Sequence, residues 1–130
     1  MATDAIAIAG TALTVHRKWL DAISDNIANV NTVRASSDEA FRAHYIIAEA
    51  GEGTTGVYVK AGAYGSAEGR MVYEPDHPLA DAKGYVRYPD IDLGQQMSSL
   101  IMAQRGYEAN AAVVDRAKTT YEAAIQIGRN

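Results

Sequence analysis

The sequence predicts a mainly α-helical protein in which long N- and C-terminal helices pair as a coiled coil, with a small irregular or β-hairpin segment between them. The first observation is where the helix-breaking residues lie: all three prolines and seven of the eleven glycines fall between residues 35 and 89. The second is a seven-residue repeat of apolar side chains at each end of the chain. We therefore divide the chain into an N-terminal helix (residues 1–34), a middle extended or β segment (35–90) and a C-terminal helix (91–130).

The N-terminal repeat extends over four heptads. Between about Thr3 and Asn31 there is no proline and only one glycine, which favours one continuous helix. Apolar residues recur every seven positions, and a companion series follows three residues later with His16 as its one polar member. The two series are Ile6, Leu13, Leu20 and Ile27, and Ala9, His16, Ile23 and Val30. This is the a/d pattern of a helix that buries one narrow stripe.

The C-terminal repeat has the same period and a flank of mostly small side chains. Its main series is Leu93, Leu100, Tyr107, Val114 and Tyr121, and three residues later come Gln96, Ala103, Asn110, Ala117 and Ala124. A partner helix can approach closely along such a flank. Asp92 followed by Gln95 predicts a capping box at the start of this helix, and Gly128 predicts its end.

The predicted helix lengths favour packing between subunits. At 1.5 Å per residue the two helices would be about 40 and 50 Å long, whereas a compact chain of this size has a radius of gyration of about 14 Å. The middle segment offers too little surface to cover both stripes, although purely internal packing is the alternative. Three amides, Asn26, Asn29 and Asn31, lie near the end of the first helix, where hydrogen bonds to a neighbouring subunit would explain their grouping.

These observations define a set of candidate interface residues. They are Leu13, Leu20, Ile23, Asn26, Ile27, Asn29 and Val30 in the N-terminal helix, and Leu100, Tyr107, Asn110, Val114 and Tyr121 in the C-terminal helix. We expect the apolar members to form a seam and three of the amides (Asn26, Asn29 and Asn110) to make specific polar contacts. Since an isolated seam is exposed to water, we expect the ends of the free monomer to be partly disordered until assembly.

The middle segment shows strand signals. Residues 41–49, 56–60 and 70–74 are rich in β-branched and aromatic side chains. The glycine-rich stretch AGAYGSAEG separates the last two, which predicts a loose hairpin between them. Three prolines follow, at positions 75, 78 and 89, and predict an irregular path from Glu74 to Pro89.

Composition excludes several classes of function. The chain has 130 residues, enough for one domain, and a net charge of −4 with no basic cluster, which argues against nucleic acid as a partner. The absence of cysteine excludes disulfides, thiolate metal sites and cysteine nucleophiles. No apolar run approaches the roughly 20 residues of a membrane span, and the N-terminus lacks the basic start of a secretory signal peptide. Motifs for nucleophilic catalysis and phosphate binding are missing, so we predict no catalytic residue, metal or cofactor.

One polar cluster leaves alternatives open. Glu74, Asp76, His77 and Asp81, with two further aspartates nearby, are the residue types of a carboxylate acid–base pair or a calcium site. The spacing matches no EF-hand loop, and the prolines keep the segment extended. We interpret it as a solvated acidic loop, with a small hydrolase or calcium-binding module as the alternative.

Three stretches resemble a known family. They are DAISDNIANVNT (residues 21–32), VYEPDHPLADAKGYVRYPDIDL (72–93) and MAQRGYEANAAVVDRAKTTYEAAIQIG (102–128), the last with Arg105, Tyr107, Ala109 and Asn110 in its core. The chain resembles the axial proteins of the bacterial flagellum, the rod and hook proteins, and in particular their proximal-rod type. The resemblance fades over residues 35–69, where ASSDEAFRAHYIIAE replaces the family's usual glycine- and proline-bearing stretch.

The resemblance implies a structural subunit of the flagellar basal-body rod and no enzymatic activity. Members of this family pass unfolded through the type III export apparatus without a cleaved signal. They polymerise helically through their terminal helices outside the inner membrane and form a hollow drive shaft. The implied partners are other rod proteins, copies of the same chain and the export apparatus. The alternative from another class is a soluble helical adaptor or chaperone that binds a partner helix.

Overall fold

Two long helices and five short strands make up the fold. The structure is a computed structural model that describes residues 2–129, with side chains for residues 4–129. In chain order the elements are α1 (Ala2–Asn29), β1 (Arg34–Ala35), β2 (His44–Ala50), β3 (Val57–Tyr64), β4 (Arg70–Tyr73), β5 (Tyr85–Tyr88) and α2 (Leu93–Gly128). The prediction of long terminal helices with a small β middle is thus confirmed for these elements. Met1 and Asn130, the outermost residues of the predicted end segments, lie outside the described residues.

The chain divides into two compact units, each built from all three parts of the sequence. Unit 1 contains the chain up to Leu20, then Ile46–Ala61, then the residues from Ile101 onward. Unit 2 contains Asp21–Tyr45 and Gly62–Leu100. Both helices are continuous elements that contribute to each unit.

Helix α1 follows the predicted heptads. Seven of the eight predicted a and d positions lie in α1, and Val30 directly follows it. All eight are buried or half-buried, and Ile23 is almost fully covered. The predicted start of α2 is confirmed, and the structure shows the Asp92 half of the predicted capping box: its carboxylate accepts a hydrogen bond from the backbone N–H of Gln95 at 2.9 Å. This bond satisfies one of the free N–H groups of the first turn. The buried stripe of α1 and the start of α2 are therefore specified by local sequence.

Unit 2 contains a three-stranded antiparallel sheet in the order β1-β5-β4. In its register Val72 faces Val86 and Tyr73 faces Tyr85. Val86 has no exposed surface, so the inner face of this small sheet belongs to the core. On the opposite face the rings of Tyr73 and Tyr85 pack edge to face, 5.4 Å apart.

The predicted hairpin between residues 56–60 and 70–74 is wrong. Strand β3 pairs with β2, and β4 pairs with β5. The predicted irregular path over residues 74–89 is also wrong in part, because β5 lies within it. Pro89 restricts Tyr88 to extended backbone, which suits the last residue of a strand as well as it suits a loop.

The connection from β4 to β5 is a closed series of turns. The backbone N–H of Glu74 donates to the carbonyl of Gly84 at 2.8 Å, which brings the two ends of the connection together. Inside it, the Asp81 carboxylate accepts from the N–H groups of Lys83 and Tyr85 at 2.9 and 3.0 Å. These bonds return the chain to the sheet in antiparallel register.

In unit 1 the β2–β3 ribbon is held by hydrogen bonds and an ion pair between its own residues and by one hydrogen bond to α1. The N–H of Gly51 donates to the carbonyl of Gly56 at 2.7 Å, and Lys60 forms an ion pair with Glu49 at 2.9 Å. The N–H of Val57 donates to the hydroxyl oxygen of Thr11 at 3.0 Å. Strand β3 therefore starts on the surface of α1.

Candidate assembly surface

Asn26 is the polar centre of unit 2. Its side chain is 1% exposed. The amide nitrogen donates to the carbonyl of His44 at 2.8 Å, and the amide oxygen accepts from the N–H of His44 at 2.6 Å. The same nitrogen also donates to the side-chain oxygen of Gln96 in α2 at 3.1 Å. One amide thus joins the end of α1, the first residue of β2 and the first turns of α2.

A close approach between α1 and α2 occurs in unit 1. The ring of His16 lies directly over Gly106, and a Cβ at this glycine would overlap the ring. The Nδ1 atom of His16 is 2.7 Å from the carbonyl oxygen of Ala12, and since a carbonyl oxygen only accepts, Nδ1 carries the proton. This bond holds the ring in place over the glycine.

Replacing Gly106 with Ala is expected to lower the free energy of unfolding by about 1 kcal/mol. Alanine favours a helix interior by about 1 kcal/mol, but overlap with a fixed ring costs about 1–3 kcal/mol. Gly10→Ala is the matched control, because a Cβ there meets nothing within 4 Å. It should stabilise the chain by about 1 kcal/mol. Urea unfolding of the purified variants measures both changes.

A double variant tests the cause of the loss at position 106. In a His16→Ala background the Cβ at position 106 has free space, so Gly106→Ala should become stabilising. Equal stabilisation by Gly10→Ala and Gly106→Ala in the otherwise unchanged chain would contradict the close approach.

Within unit 1, one face of α2 changes from buried to exposed along the helix. Ala103 has no exposed surface, and Asn110, Val114 and Ala117 are half-buried. Tyr121 follows Ala103 by 18 residues, which is five turns, so it lies on the same face. Its side chain is nevertheless 46% exposed, and residues 121–129 are all exposed. The stripe therefore continues beyond the part of the helix that the unit covers.

Comparison with known proteins agrees with this terminal-helix architecture. A family described as flagella basal body rod protein matches residues 6–35, and one described as flagellar basal body rod FlgEFG protein C-terminal matches residues 82–127. A flagellar basal-body rod protein FlgC from Escherichia coli O6:H1 is 35% identical over 126 residues, covering 94% of each chain. The chain belongs to the FlgC family of flagellar basal-body rod proteins.

More distant FlgC proteins cover the chain equally well. The one from Borreliella burgdorferi is 33% identical and covers 94% of both chains. The one from Bacillus subtilis is 30% identical and covers 94% of this chain and 95% of its own length. The two family matches leave residues 36–81 between them, and this range includes most of the stretch over which the sequence resemblance fades.

The predicted interface residues of this rod protein differ in exposure. Ile23 and Asn26 are buried, and Tyr107 and Tyr121 are exposed. The others are half-buried: Leu13, Leu20, Ile27, Asn29, Val30, Leu100, Asn110 and Val114. Hydrogen bonds within the chain occupy all three amides, since Asn29 donates to the Asp25 carbonyl and Asn110 to the Gly106 carbonyl. Contacts of these residues with neighbouring subunits stay a prediction.

Two features of unit 1 were not foreseen in the sequence. Gly106 is a contact residue because it lies opposite the ring of His16. Thr11 was not singled out, and its hydroxyl anchors β3. Neither has a local signal, because each depends on a partner more than 40 positions away in the sequence.

The acidic segment of the rod protein contributes structural hydrogen bonds. The hydroxyl of Tyr88 donates to the Glu74 carboxylate at 2.9 Å, and this bond raises the pKa of Tyr88 because ionisation would break it. The N–H of Tyr85, and after it the hydroxyl of Ser36, lower the pKa of Asp81 by hydrogen bonding to its charged form. These partners favour the interpretation as a solvated loop. Within residues 2–129 no three acidic or histidine side chains group as metal ligands.

Neither helix of the rod protein is long and apolar enough, over the described residues, to cross a membrane.

Proposed function

We propose that this structural subunit of the flagellar basal-body rod polymerises helically through its two terminal helices and so forms part of the hollow proximal rod. The role in the rod follows from family membership. The observation that supports helical assembly is the stripe on α2 that is covered at Ala103 and open at Tyr121. An exposed apolar stripe that continues a buried one is the form of surface that an assembly partner covers.

We further propose that α1 and α2 pair as an antiparallel coiled coil. Two contacts support this, each inside one compact unit: His16 with Gly106, and Asn26 with Gln96. The second contact lies ten residues further along α1 and ten residues back along α2. His16 and Gln96 are members of the companion heptad series, whereas Gly106 and Asn26 lie beside the series.

Assembly is driven by burial of the exposed apolar side chains of the terminal helices. Met102, Val113, Tyr121, Ile125 and Ile127 are each at least 46% exposed. Each Å² of apolar surface removed from water contributes about 25 cal/mol. Contacts of the head-to-tail kind, which do not close a ring, generate a helical array.

The remaining roles follow the family. Residues 1–34 and 91–130 act as the assembly helices, and residues 35–90 form a middle segment without a catalytic role. The chain reaches its position outside the inner membrane through the flagellar export apparatus, and its partners are other rod proteins and its own copies. Family membership decides against the soluble adaptor or chaperone.

Replacing Leu20 and Leu100 together with Asp should prevent rod assembly. The two leucines are half-buried members of the predicted seam, and two carboxylates there would have to be desolvated on packing. In cells that lack the native chain, the variant should give no swimming, and purified basal bodies should lack complete rods in electron micrographs.

Leu79→Asp is the matched control, because Leu79 is a leucine of the middle segment and is 45% exposed. It should leave swimming unchanged. Detection of the double variant in the culture fluid separates failed assembly from failed export. A double variant that builds rods in normal number would contradict assembly through the terminal helices.

A further inference from the structure

We infer that the last turns of α2 in one copy dock into a groove on unit 1 of a second copy. The docking strip comprises Tyr121, Glu122 and Ile125. The groove is lined by Thr11, Thr14, Val15, Lys18, Val57, Tyr58 and Val59. This inference rests on the proposed function, since it supplies one specific contact for the helical assembly.

The strip is a continuation of a stripe that is already used for packing. Ile125 follows Val114 by 11 residues, about three turns, and therefore lies on the same side of α2. Val114 is half-buried, whereas Ile125 is 47% exposed. Glu122 precedes Ile125 by three residues and is therefore its neighbour on the helix surface. The strip thus presents two large apolar side chains, each nearly half-exposed, and one exposed acidic side chain.

The groove has the size and lining for such side chains. Its volume is about 200 Å³, smaller than the roughly 300–1,000 Å³ of small-molecule sites. Val15, Val57 and Val59 supply apolar walls, and Lys18 adds a charged side chain to the lining. A groove of this kind accommodates one or two side chains of a helix rather than a free ligand.

The strip cannot reach the groove of its own chain. The groove lies along residues 11–18 of α1, and His16 in that range contacts Gly106 of α2. Tyr121 is 15 residues beyond Gly106 on a continuous helix, a distance of about 22 Å along the axis. The strip and groove are therefore separate surfaces of one molecule, as a head-to-tail contact between two copies requires.

Charge complementarity favours a second copy as the occupant. Lys18 is the charged residue of the groove, and Glu122 is the charged residue of the strip. An ion pair at the edge of such a contact adds little affinity but selects the partner and its orientation. The strip and the groove belong to one chain, so every copy carries both surfaces of the contact.

Crosslinking between two differently tagged copies tests the contact directly. The chain has no cysteine, so Thr14→Cys in one copy and Ile125→Cys in the other place single thiols on groove and strip. The two variants are produced together in cells that lack the native chain. Basal bodies are then isolated and treated with a short bis-maleimide, which crosslinks neighbouring thiols. A dimer carrying both tags is the expected product. Ala112→Cys replaces Ile125→Cys as the control, because Ala112 is exposed and lies 13 residues before Ile125, on another side of α2.

A charge exchange provides the second test. Glu122→Lys and Lys18→Glu should each reduce the number of complete rods, and their combination should restore it. Asp115→Lys is the matched control, because it makes the same change of charge on α2 two turns before the strip and should leave rod number unchanged.

The outcomes separate this inference from the proposed function. Absence of the two-tag dimer while both copies are present in rods would overturn the contact but leave the rod role intact, as would a crosslink from Thr14→Cys to a different rod component. The contact would also be overturned if the combined Glu122→Lys and Lys18→Glu variant failed to restore rods and Asp115→Lys reduced the number of rods as much as Glu122→Lys. Absence of the unaltered chain from basal bodies would instead overturn the proposed function.

Discussion

Asn26→Ala should lower the free energy of unfolding by about 2–4 kcal/mol. The change removes both hydrogen bonds to the backbone of His44 and the bond to Gln96. The N–H and carbonyl of His44 and the Gln96 amide then lose their partner. A buried group without a partner costs about 1–3 kcal/mol, but His44 is half-buried, so water replaces part of its lost bonds and the total stays below the sum of three such costs. Urea unfolding of the purified chain measures the loss, and faster hydrogen exchange at the His44 amide locates it.

Asn29→Ala is the control for removing an amide from the same part of α1. Asn29 donates to the Asp25 carbonyl one turn earlier, in a solvent-exposed setting, and accepts from the Thr32 hydroxyl three residues later at 3.1 Å. Water replaces such a bond easily, so the loss should stay below about 1 kcal/mol. Equal losses for the two variants would contradict the central position of Asn26 in unit 2.

The helices could be predicted from the sequence because their signals are local. The spacing of apolar residues predicts one buried side of α1: the eight predicted positions are all buried or half-buried, although Val15 and Ala22, outside the two series, are buried as well. The cap at Asp92 depends on a residue three positions away. A pattern read over a few residues is sufficient wherever the partner is in the next turn.

Strand pairing could not be predicted in the same way. Strands β3 and β4 are neighbours in sequence, separated by a glycine-rich stretch, yet each pairs with its other neighbour. The choice depends on contacts that form only in the folded chain, such as the covered side chain of Val86 and the turn that Asp81 organises. The composition and periodicity of the sequence predict where strands lie, but they do not predict which strands pair.

The asparagines show the same limit within the candidate site. Their grouping near the end of α1 indicated a polar role, and the prediction assigned that role to contacts with a neighbouring subunit. In the structure Asn26 binds the backbone of His44, 18 residues away, and contacts of the asparagines with a neighbouring subunit stay a prediction. A group of asparagines in the sequence predicts that their side chains are hydrogen-bonded. It does not predict which groups are the partners, because these are brought close only by the fold.

The sheet of unit 2 supplies the second large effect, since Gly69→Ala should cost about 3 kcal/mol of stability. Gly69 has φ of 60° and stands directly before β4. A side chain in this left-handed conformation costs about 1–2 kcal/mol. The added Cβ would also overlap the carbonyl oxygen of Tyr88 and lie 2.6 Å from the Cβ of Ala40. Because the first obstacle is backbone, β4 and β5 would have to move apart, at a further cost of about 1–3 kcal/mol.

Gly53→Ala separates backbone strain from overlap. Gly53 has nearly the same φ, 61°, but a Cβ there meets nothing within 4 Å. It should therefore lose only the strain of about 1–2 kcal/mol. Comparison of the two variants by urea unfolding gives the cost of the overlap alone. If Gly69→Ala and Gly53→Ala were equally destabilising, the carbonyl of Tyr88 would not lie against Gly69, and the observed closeness of the β4 entry to the end of β5 would be wrong.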